Sequence, residues 1–134
     1  MSNKLQKISV KGLIYRDGNV LMLNDEKGNW ELPGGKIDFG EHPEDSLKRE
    51  FSEELNVENL TVGGLVDVWD FVVSKDNIDY QFIIVVYWCF FDDKEIEISD
   101  EHMEYKWIAI DDIDKYKMKD GYRVSIKKFN DSKK

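Results

Sequence analysis

Cysteine and histidine are scarce in this chain. Its 134 residues include one cysteine, Cys89, and two histidines, His42 and His102. A single cysteine excludes an internal disulfide, and its place in an apolar stretch predicts a buried thiol rather than a catalytic one. Neither histidine has a zinc-like spacing or a neighbouring nucleophile, so both are expected at the surface. The expected compartment is the cytoplasm.

Long apolar runs and excess positive charge are also missing. No run approaches the roughly 20 residues that span a bilayer, and the N-terminal MSNKLQKISVKG has no uninterrupted apolar core like that of a secretory signal. The net charge is -9, which disfavours a protein that grips a nucleic-acid polymer through a basic surface. Neither a membrane nor a nucleic-acid polymer is therefore an expected partner.

What the chain does contain fits one folded domain over residues 1–134. Hydrophobic residues make up 41% and aromatic residues 13%, despite a charged fraction of 35%. This length suffices for one substantial core. The expected class is α plus β.

Local patterns predict the order of the elements. Asp17-Gly18 between two apolar runs indicates a hairpin, and Pro33-Gly34-Gly35 is expected to break regular structure. An apolar run on both alternating faces predicts a central strand covered from both sides. The remaining predictions are a strand over 60–73 interrupted at 63–64, a turn over 74–79, the central strand over 80–91, a charged connection with a short edge strand over 92–101, a last strand over 104–110, a helical turn at 111–112 and an amphipathic helix near 120–130.

The helix that carries most of the chemistry is predicted over residues 43–55. Pro43 suits its first turn, where the missing N–H is not needed. At roughly 100° per residue, Leu47, Phe51 and Leu55 share one arc. The neighbouring arc carries Glu50, Glu53 and Glu54.

These glutamates need a counter-charge, because like charges three and four residues apart cost an isolated helix about 0.2–0.5 kcal/mol per pair. Arg49 and Lys48 can supply part of it. Converging carboxylates also suit a hard divalent cation such as Mg2+ or Mn2+. The alternative from the helix alone is a solvated acidic face.

Spacing favours the metal site. The segment reads GKIDFGEHPEDSLKREFSEELNV from Gly35 to Val57, and the run WELPG precedes it. This segment resembles the signature box of the Nudix hydrolase family, including MutT-like enzymes. One position departs, since the family usually has glycine where this chain has Asn56. Asparagine tolerates the left-handed conformation that ends many helices, so a mild effect is expected.

The resemblance implies a Nudix-type α/β/α sandwich with a mixed β-sheet. It also implies a metal-dependent pyrophosphohydrolase that cleaves a nucleoside diphosphate linked to another moiety by in-line attack of water. Substrates of this kind include nucleoside triphosphates, dinucleoside polyphosphates and nucleotide sugars. The implied partner is thus a small nucleotide, the implied cofactor Mg2+ or Mn2+, and a homodimer stays open.

Matching positions assigns roles to individual residues. The resemblance implies metal ligation by Glu50, Glu53, Glu54 and the carbonyl of Gly35, with Glu53 or Glu50 orienting or deprotonating the water. Arg49 is expected to aim a neighbouring carboxylate at the metal, since its forked donors suit bidentate pairing. The residue expected to brace the loop is Glu41.

Outside the box, the predictions are less determined by the pattern. Asp100, Glu101 and Glu104 are candidates for an additional acid, and Glu101 is the first choice among them, although an acidic loop is more often merely solvated. Lys36 is a candidate to contact a phosphate, and the alternative is an ordinary surface lysine. Trp69 is a candidate to stack on a nucleobase, and the alternative is a core side chain.

Two alternatives to hydrolysis remain. One is a nucleotide-sensing Nudix module without catalysis, which would be expected to lack some box glutamates. The other is an isoprenoid diphosphate isomerase, which would call for a reactive cysteine. Residues 72–75, beyond the box, lack the proline or tyrosine associated with ADP-ribose and diadenosine polyphosphate subtypes. The sequence therefore favours a nucleoside triphosphate.

Overall fold

The computed structural model describes residues 3–92, 96–97 and 104–133. Within these ranges there are seven strands, two α-helices and one 3-10 helix. The strands are β1 (Asn3–Arg16), β2 (Asn19–Asn24), β3 (Trp30–Glu31), β4 (Gly34–Lys36), β5 (Thr61–Lys75), β6 (Ile78–Phe90) and β7 (Glu104–Ala109). The helices are α1 (Pro43–Leu55) and α2 (Asp120–Ser132), and the 3-10 helix is Ile110–Lys115. No helix in these ranges is long and apolar enough to cross a bilayer.

The described strands form one mixed sheet, as predicted. Its main path is β3-β2-β1-β6-β5, with β4 beside β1 and β7 beside β2. The central pair, β1 and β6, runs parallel from Asn3 opposite Ile78 to Ile14 opposite Cys89. The other pairs are antiparallel.

Apolar clusters cover both faces of this sheet, which confirms the sandwich. On one face, α1 buries Leu47, Phe51 and Leu55 together with Val10 and Ile14 of β1. The opposite face packs α2 through Tyr122 and Ile126 against residues that include Leu13, Ile84 and Val86. Strand β6 contributes to both clusters, as its two-sided apolar pattern predicts.

The bounds of α1 agree with the predicted helix over 43–55. Asn56 adopts the left-handed conformation with φ 58° and ψ 33°. Its N–H donates to the carbonyl of Ser52 (3.1 Å), and the Val57 N–H donates to that of Phe51 (3.2 Å). Asparagine therefore closes the helix in the conformation that the family's usual glycine would take.

Several predicted boundaries change in the structure. The predicted turn over 74–79 is wrong in length, because β5 continues to Lys75 and β6 begins at Ile78. The turn between them consists of Asp76 and Asn77, both with positive φ. The expected break at Pro33-Gly34-Gly35 is also wrong in part, since Gly34–Lys36 form β4 against β1. A register shift does lie at 63–64, where a Cβ on Gly63 would come within 2.4 Å of the Trp88 ring.

A buried carboxylate fastens α2 to β5. Asp67 accepts hydrogen bonds from Ser125 Oγ (2.8 Å), Lys128 Nζ (2.9 Å) and the Val68 N–H (2.9 Å). Burial alone would raise the pKa of Asp67, but Lys128 and Ser125 outweigh it and hold that pKa below its ordinary value. The folded state thus favours the charged form of Asp67.

We predict that Lys128→Met lowers the free energy of unfolding by about 1–2 kcal/mol at neutral pH, because it removes a charged partner from a buried carboxylate. Lys127→Met is the matched control. That lysine is half-exposed, and its ion-pair partner among the described residues is the exposed Asp114, so its loss should cost less than about 0.5 kcal/mol. Urea denaturation of both variants measures the difference.

The same variants give a pH dependence with a defined sign. A carboxyl whose pKa is lowered by folding contributes stability above its unfolded pKa, near 4, and loses it as the pH falls through the folded value. The difference between Lys128→Met and the unchanged protein should therefore shrink below about pH 4. A constant difference down to pH 2 would contradict this account.

Candidate functional site

The predicted box residues meet where α1 crosses β4. Strand β4 pairs with β1 so that Gly34 lies opposite Lys11 and Gly35 opposite Val10. The chain then turns through 37–42 into α1, whose acidic side faces β4. Here a Cβ on Gly35 would lie 2.4 Å from the carboxyl carbon of Glu50. The absence of a side chain at 35 is thus what admits Glu50.

The three box glutamates differ sharply in exposure. Glu54 is 3% exposed, and its carboxylate accepts a hydrogen bond from the Gly34 N–H (3.1 Å). The side chain of Glu50 is 15% exposed and that of Glu53 is 61% exposed. Burial raises the pKa of Glu50, and the neighbouring Arg49 opposes this only in part. The acidic side therefore extends from the interior to the surface.

Arg49 joins the loop to the helix. It donates through Nε and Nη2 to both carboxylate oxygens of Glu41 (2.8 and 3.0 Å). Its Nη1 donates to Glu50 (3.1 Å) and to Glu53 (3.2 Å), and its Nη2 donates to the carbonyl of Lys36 (3.2 Å). One guanidinium thus neutralises and orients several of the carboxylates that the sequence places together.

Glu41 braces the loop, as predicted. Besides Arg49, its carboxylate accepts from the Asp38 N–H (3.0 Å) and from Ser46 Oγ (2.8 Å). These bonds, from Arg49 first, lower the pKa of Glu41 to about 2. The loop between β4 and α1 is therefore held by an ion pair that is charged at neutral pH.

A buried lysine lies on the interior side of the acidic cluster. Lys11 on β1 is 7% exposed, and its Nζ lies 3.9 Å from a carboxylate oxygen of Glu31. Burial alone would lower the pKa of Lys11, but Tyr122, Glu31 and Glu54 outweigh it and raise that pKa above its ordinary value. Lys11 is thus a cation inside the fold.

The donor set suits a hard divalent cation. Glu50, Glu53, Glu54 and the Gly35 carbonyl are oxygen donors of the kind that Mg2+ and Mn2+ prefer. In the ranges that the structure describes, no three carboxylate, imidazole or thiol groups are arranged to hold an ion. Arg49 binds Glu50 and Glu53 in this arrangement, while Glu54 binds Gly34. The residues thus fit a metal by the chemistry of their donor atoms, and Gly35 brings its backbone next to the Glu50 carboxylate.

The structure places the other predicted residues less centrally. Lys36 is exposed and lines an open groove of about 470 Å³ that also includes Glu41. A larger groove of about 520 Å³ lies on the sheet near Tyr80 and contains none of the predicted site residues. The groove at Lys36 and Glu41 is the better candidate for binding substrate, because it is lined by residues of the box.

Trp69 packs between α2 and its own strand. Its ring centroid is 4.9 Å from that of Tyr122 and 5.7 Å from that of Phe71. A Cβ on Gly121 would come within 2.1 Å of the same ring. These contacts belong to the core, and stacking on a nucleobase stays a prediction.

The candidates for an additional acid fall in different places. Glu104 begins β7, is exposed, and accepts a hydrogen bond from Asn24 Nδ2 (3.2 Å). Asp100, Glu101 and His102 lie outside the described residues. His42 precedes α1 and is exposed, as expected.

Sequence reasoning missed Lys11, Glu31 and Tyr122. The available signal was a lysine within the apolar, alternating strand ISVKGLI. Its partners lie on β3 and α2, so nothing local identifies them.

The adjacent glycines give a matched pair of predictions. Gly34 has φ 142°, and a Cβ there would lie 2.0 Å from the Val10 carbonyl oxygen, so Gly34→Ala should cost roughly 2–4 kcal/mol of unfolding free energy. The three atoms nearest to a Cβ on Gly35 all belong to the Glu50 carboxylate, which can move, so Gly35→Ala should cost less than about 1 kcal/mol. Thermal and urea unfolding measure both, and equal losses would contradict the prediction.

Gly35→Ala should instead weaken Mn2+ binding, because the methyl group displaces a predicted ligand. Calorimetric titration of the metal-free variant is the check.

Comparisons with known proteins agree with this geometry. The NUDIX domain profile matches residues 5–129. The chain is 27% identical over 136 aligned positions to the nucleoside triphosphatase NudI of Escherichia coli, covering 91% of this chain and 95% of that protein. The MutT protein of Methanosarcina mazei Go1 superposes with a TM-score of 0.85 at 25% identity, covering 98% of this chain and 97% of that one.

A second solved structure gives the same result. The MutT NUDIX hydrolase from Burkholderia pseudomallei has a TM-score of 0.77 at 25% identity, covering 92% of this chain and 98% of that one. The profile match spans far more than half of the chain and includes the box at Gly35 to Val57. The chain therefore belongs to the NUDIX family and is a hydrolase that acts on phosphoanhydride bonds.

Proposed function

We propose that this protein is a metal-dependent pyrophosphohydrolase that uses Mg2+ or Mn2+ and cleaves a nucleoside triphosphate. The observation that carries the proposal is the complete acidic set on α1, with Glu50, Glu53 and Glu54 beside the side-chain-free Gly35 and with Arg49 among them. A sensor that had lost catalysis would have no need to retain all of these groups.

Glu50, Glu53, Glu54 and the carbonyl of Gly35 would hold the metal. When bound, the cation offsets the negative charge that repels a nucleophile from a phosphoanhydride. Glu53 or Glu50 would accept the proton of the attacking water, and the hydrogen bonds from Arg49 would fix the direction of both carboxylates. Attack at phosphorus in line with the leaving oxygen then breaks the anhydride bond.

Arg49 and Lys36 position other groups and do not take part in bond cleavage. Arg49 fixes the directions of Glu50 and Glu53 through two hydrogen bonds from one nitrogen. The exposed Lys36 ammonium, on the strand next to Gly35, is placed to meet a phosphate oxygen. Neither residue takes part in proton transfer, which is assigned to Glu53 or Glu50.

The substrate class rests on two observations. The region beyond the box, residues 72–75, lacks the marks of the ADP-ribose and diadenosine polyphosphate subtypes. The NudI relatives are nucleoside triphosphatases. Dinucleoside polyphosphates and nucleotide sugars are the competing substrates in the test below.

The test is a hydrolysis screen with Mg2+ or Mn2+ over nucleoside triphosphates, dinucleoside polyphosphates and nucleotide sugars, with released phosphate and pyrophosphate as readouts. We expect turnover of at least one nucleoside triphosphate and its abolition by a chelator. Glu53→Gln and Glu50→Gln should each lower kcat by roughly 10²–10⁴-fold, as expected for loss of a general base or ligand. Glu44→Gln, the same charge change at an exposed site in the first turn of α1, is the matched control.

Tight binding of a nucleotide without any product over hours would replace this proposal with the sensor. Hydrolysis that survives both Gln variants would remove the assigned roles.

The isomerase alternative is tested at Cys89. This thiol is 3% exposed on β6, and burial raises its pKa to about 12, so it is not a ready nucleophile. We expect Cys89→Ser to retain kcat/KM within about twofold for a nucleoside triphosphate, because no predicted step uses the thiol. If the protein isomerised an isoprenoid diphosphate and Cys89→Ser abolished that activity, the proposed hydrolase function would be contradicted.

A further inference from the structure

Lys11 is an unusual residue for the centre of a sheet. Its strand position is flanked by the fully buried Val10 and by Gly12, whose added Cβ would come within 2.8 Å of the Phe51 ring. Lysine is rarely buried without a charge partner, because removing the ammonium from water is expensive. Lys11 must therefore be stabilised by the groups that surround it.

Those groups are carboxylates and one phenol. Glu31 on β3 is 3.9 Å from Lys11 Nζ, and the Tyr122 phenol on α2 is a neighbouring polar group that raises the pKa of Lys11. Glu54 and Glu50 on α1 interact with it electrostatically. Lys11 on β1 and Arg49 on α1 are thus two cations that act on the same group of carboxylates.

Strand pairing places Lys11 next to the anchor of Glu54. Lys11 and Gly34 are directly opposite each other in the β1–β4 ladder, and a Cβ on Gly34 would lie 2.9 Å from the Lys11 Cα. The Gly34 N–H is the donor that holds the Glu54 carboxylate. Any displacement of this ladder would move the buried cation and the buried anion together.

We propose that Lys11 is a positioning residue of the metal site, an internal counter-cation that holds the buried Glu54 carboxylate in the metal-free protein and opposes the divalent ion that binds there. This inference rests on the proposed metal-dependent function. Arg49 serves Glu50 and Glu53 in the same way at the surface. A divalent ion at these glutamates is repelled by both fixed cations, so the acidic cluster is less attractive to metal than its charge suggests.

The decisive variant is Lys11→Met, which keeps the length of the side chain and removes its charge. We expect the metal-free protein to lose stability, because Glu54 and Glu31 lose a cation. We also expect the Mn2+ dissociation constant to fall roughly tenfold in calorimetric titration, since one repelling charge is gone. Lys11→Arg keeps the charge and should leave the constant within about twofold of the unchanged value.

Lys128→Met is the matched control, because it also removes a lysine bound to a buried carboxylate, at Asp67 on β5. It should lower stability and leave Mn2+ affinity unchanged. Lys11→Gln removes the charge while retaining a polar side chain, and it provides the same measurement if Lys11→Met does not fold.

Unchanged or weaker Mn2+ binding in both neutral variants overturns the inference while leaving the hydrolase intact. A rise in KM for the nucleotide at saturating Mn2+, with unchanged metal affinity, makes Lys11 a substrate contact and also overturns it. If the unchanged protein binds no Mn2+ and hydrolyses nothing, the proposed function fails first and this inference with it.

Discussion

Crowded negative charge on one side of a helix is the constraint around which this structure is arranged. Glu50, Glu53 and Glu54 share that side, and their repulsion has to be offset before the helix can pack. Arg49 on the same helix offsets it through hydrogen bonds to Glu50 and Glu53. We propose that Lys11 offsets it from the sheet. The chain thus holds its acidic cluster between two fixed cations on different elements, and helix, loop and sheet all depend on that balance.

Two glycines set the distance between the sheet and this cluster. Gly34 brings β4 against β1 so closely that its N–H reaches Glu54, and Gly35 leaves the volume that the Glu50 carboxyl occupies. A side chain at Gly34 would collide with the Val10 carbonyl oxygen of β1, and one at Gly35 would displace the Glu50 carboxylate. The site therefore depends on the absence of side chains at these two glycines as well as on its charged groups. We propose that the backbone carbonyl of Gly35 is a ligand.

Local patterns were sufficient to predict α1, because its start, its apolar arc and its end depend on neighbouring residues. The Asp17-Gly18 hairpin was predictable for the same reason, and both residues have positive φ. Partners distant in sequence were not predictable. Lys11 and Tyr122 are neighbours although they lie far apart in sequence, and the same is true of Asp67 with Ser125 and Lys128. These contacts depend on how β1, β5 and α2 pack together, which no local pattern encodes. The short strand β4 was missed because two glycines have little intrinsic strand propensity and pair only when β1 is present.

The parallel pairing of β1 with β6 also determines when the protein can assemble during synthesis. Gln6 and Gln81, which bond across this pair, are 75 positions apart in sequence. Contacts of such long separation form slowly, since a large loop must close before they stabilise anything. The ribosome must therefore release the chain through β6, which ends at Phe90, before the middle of the sheet exists. Until then the early strands present unpaired edges, and nascent chains are at their most vulnerable to association with one another.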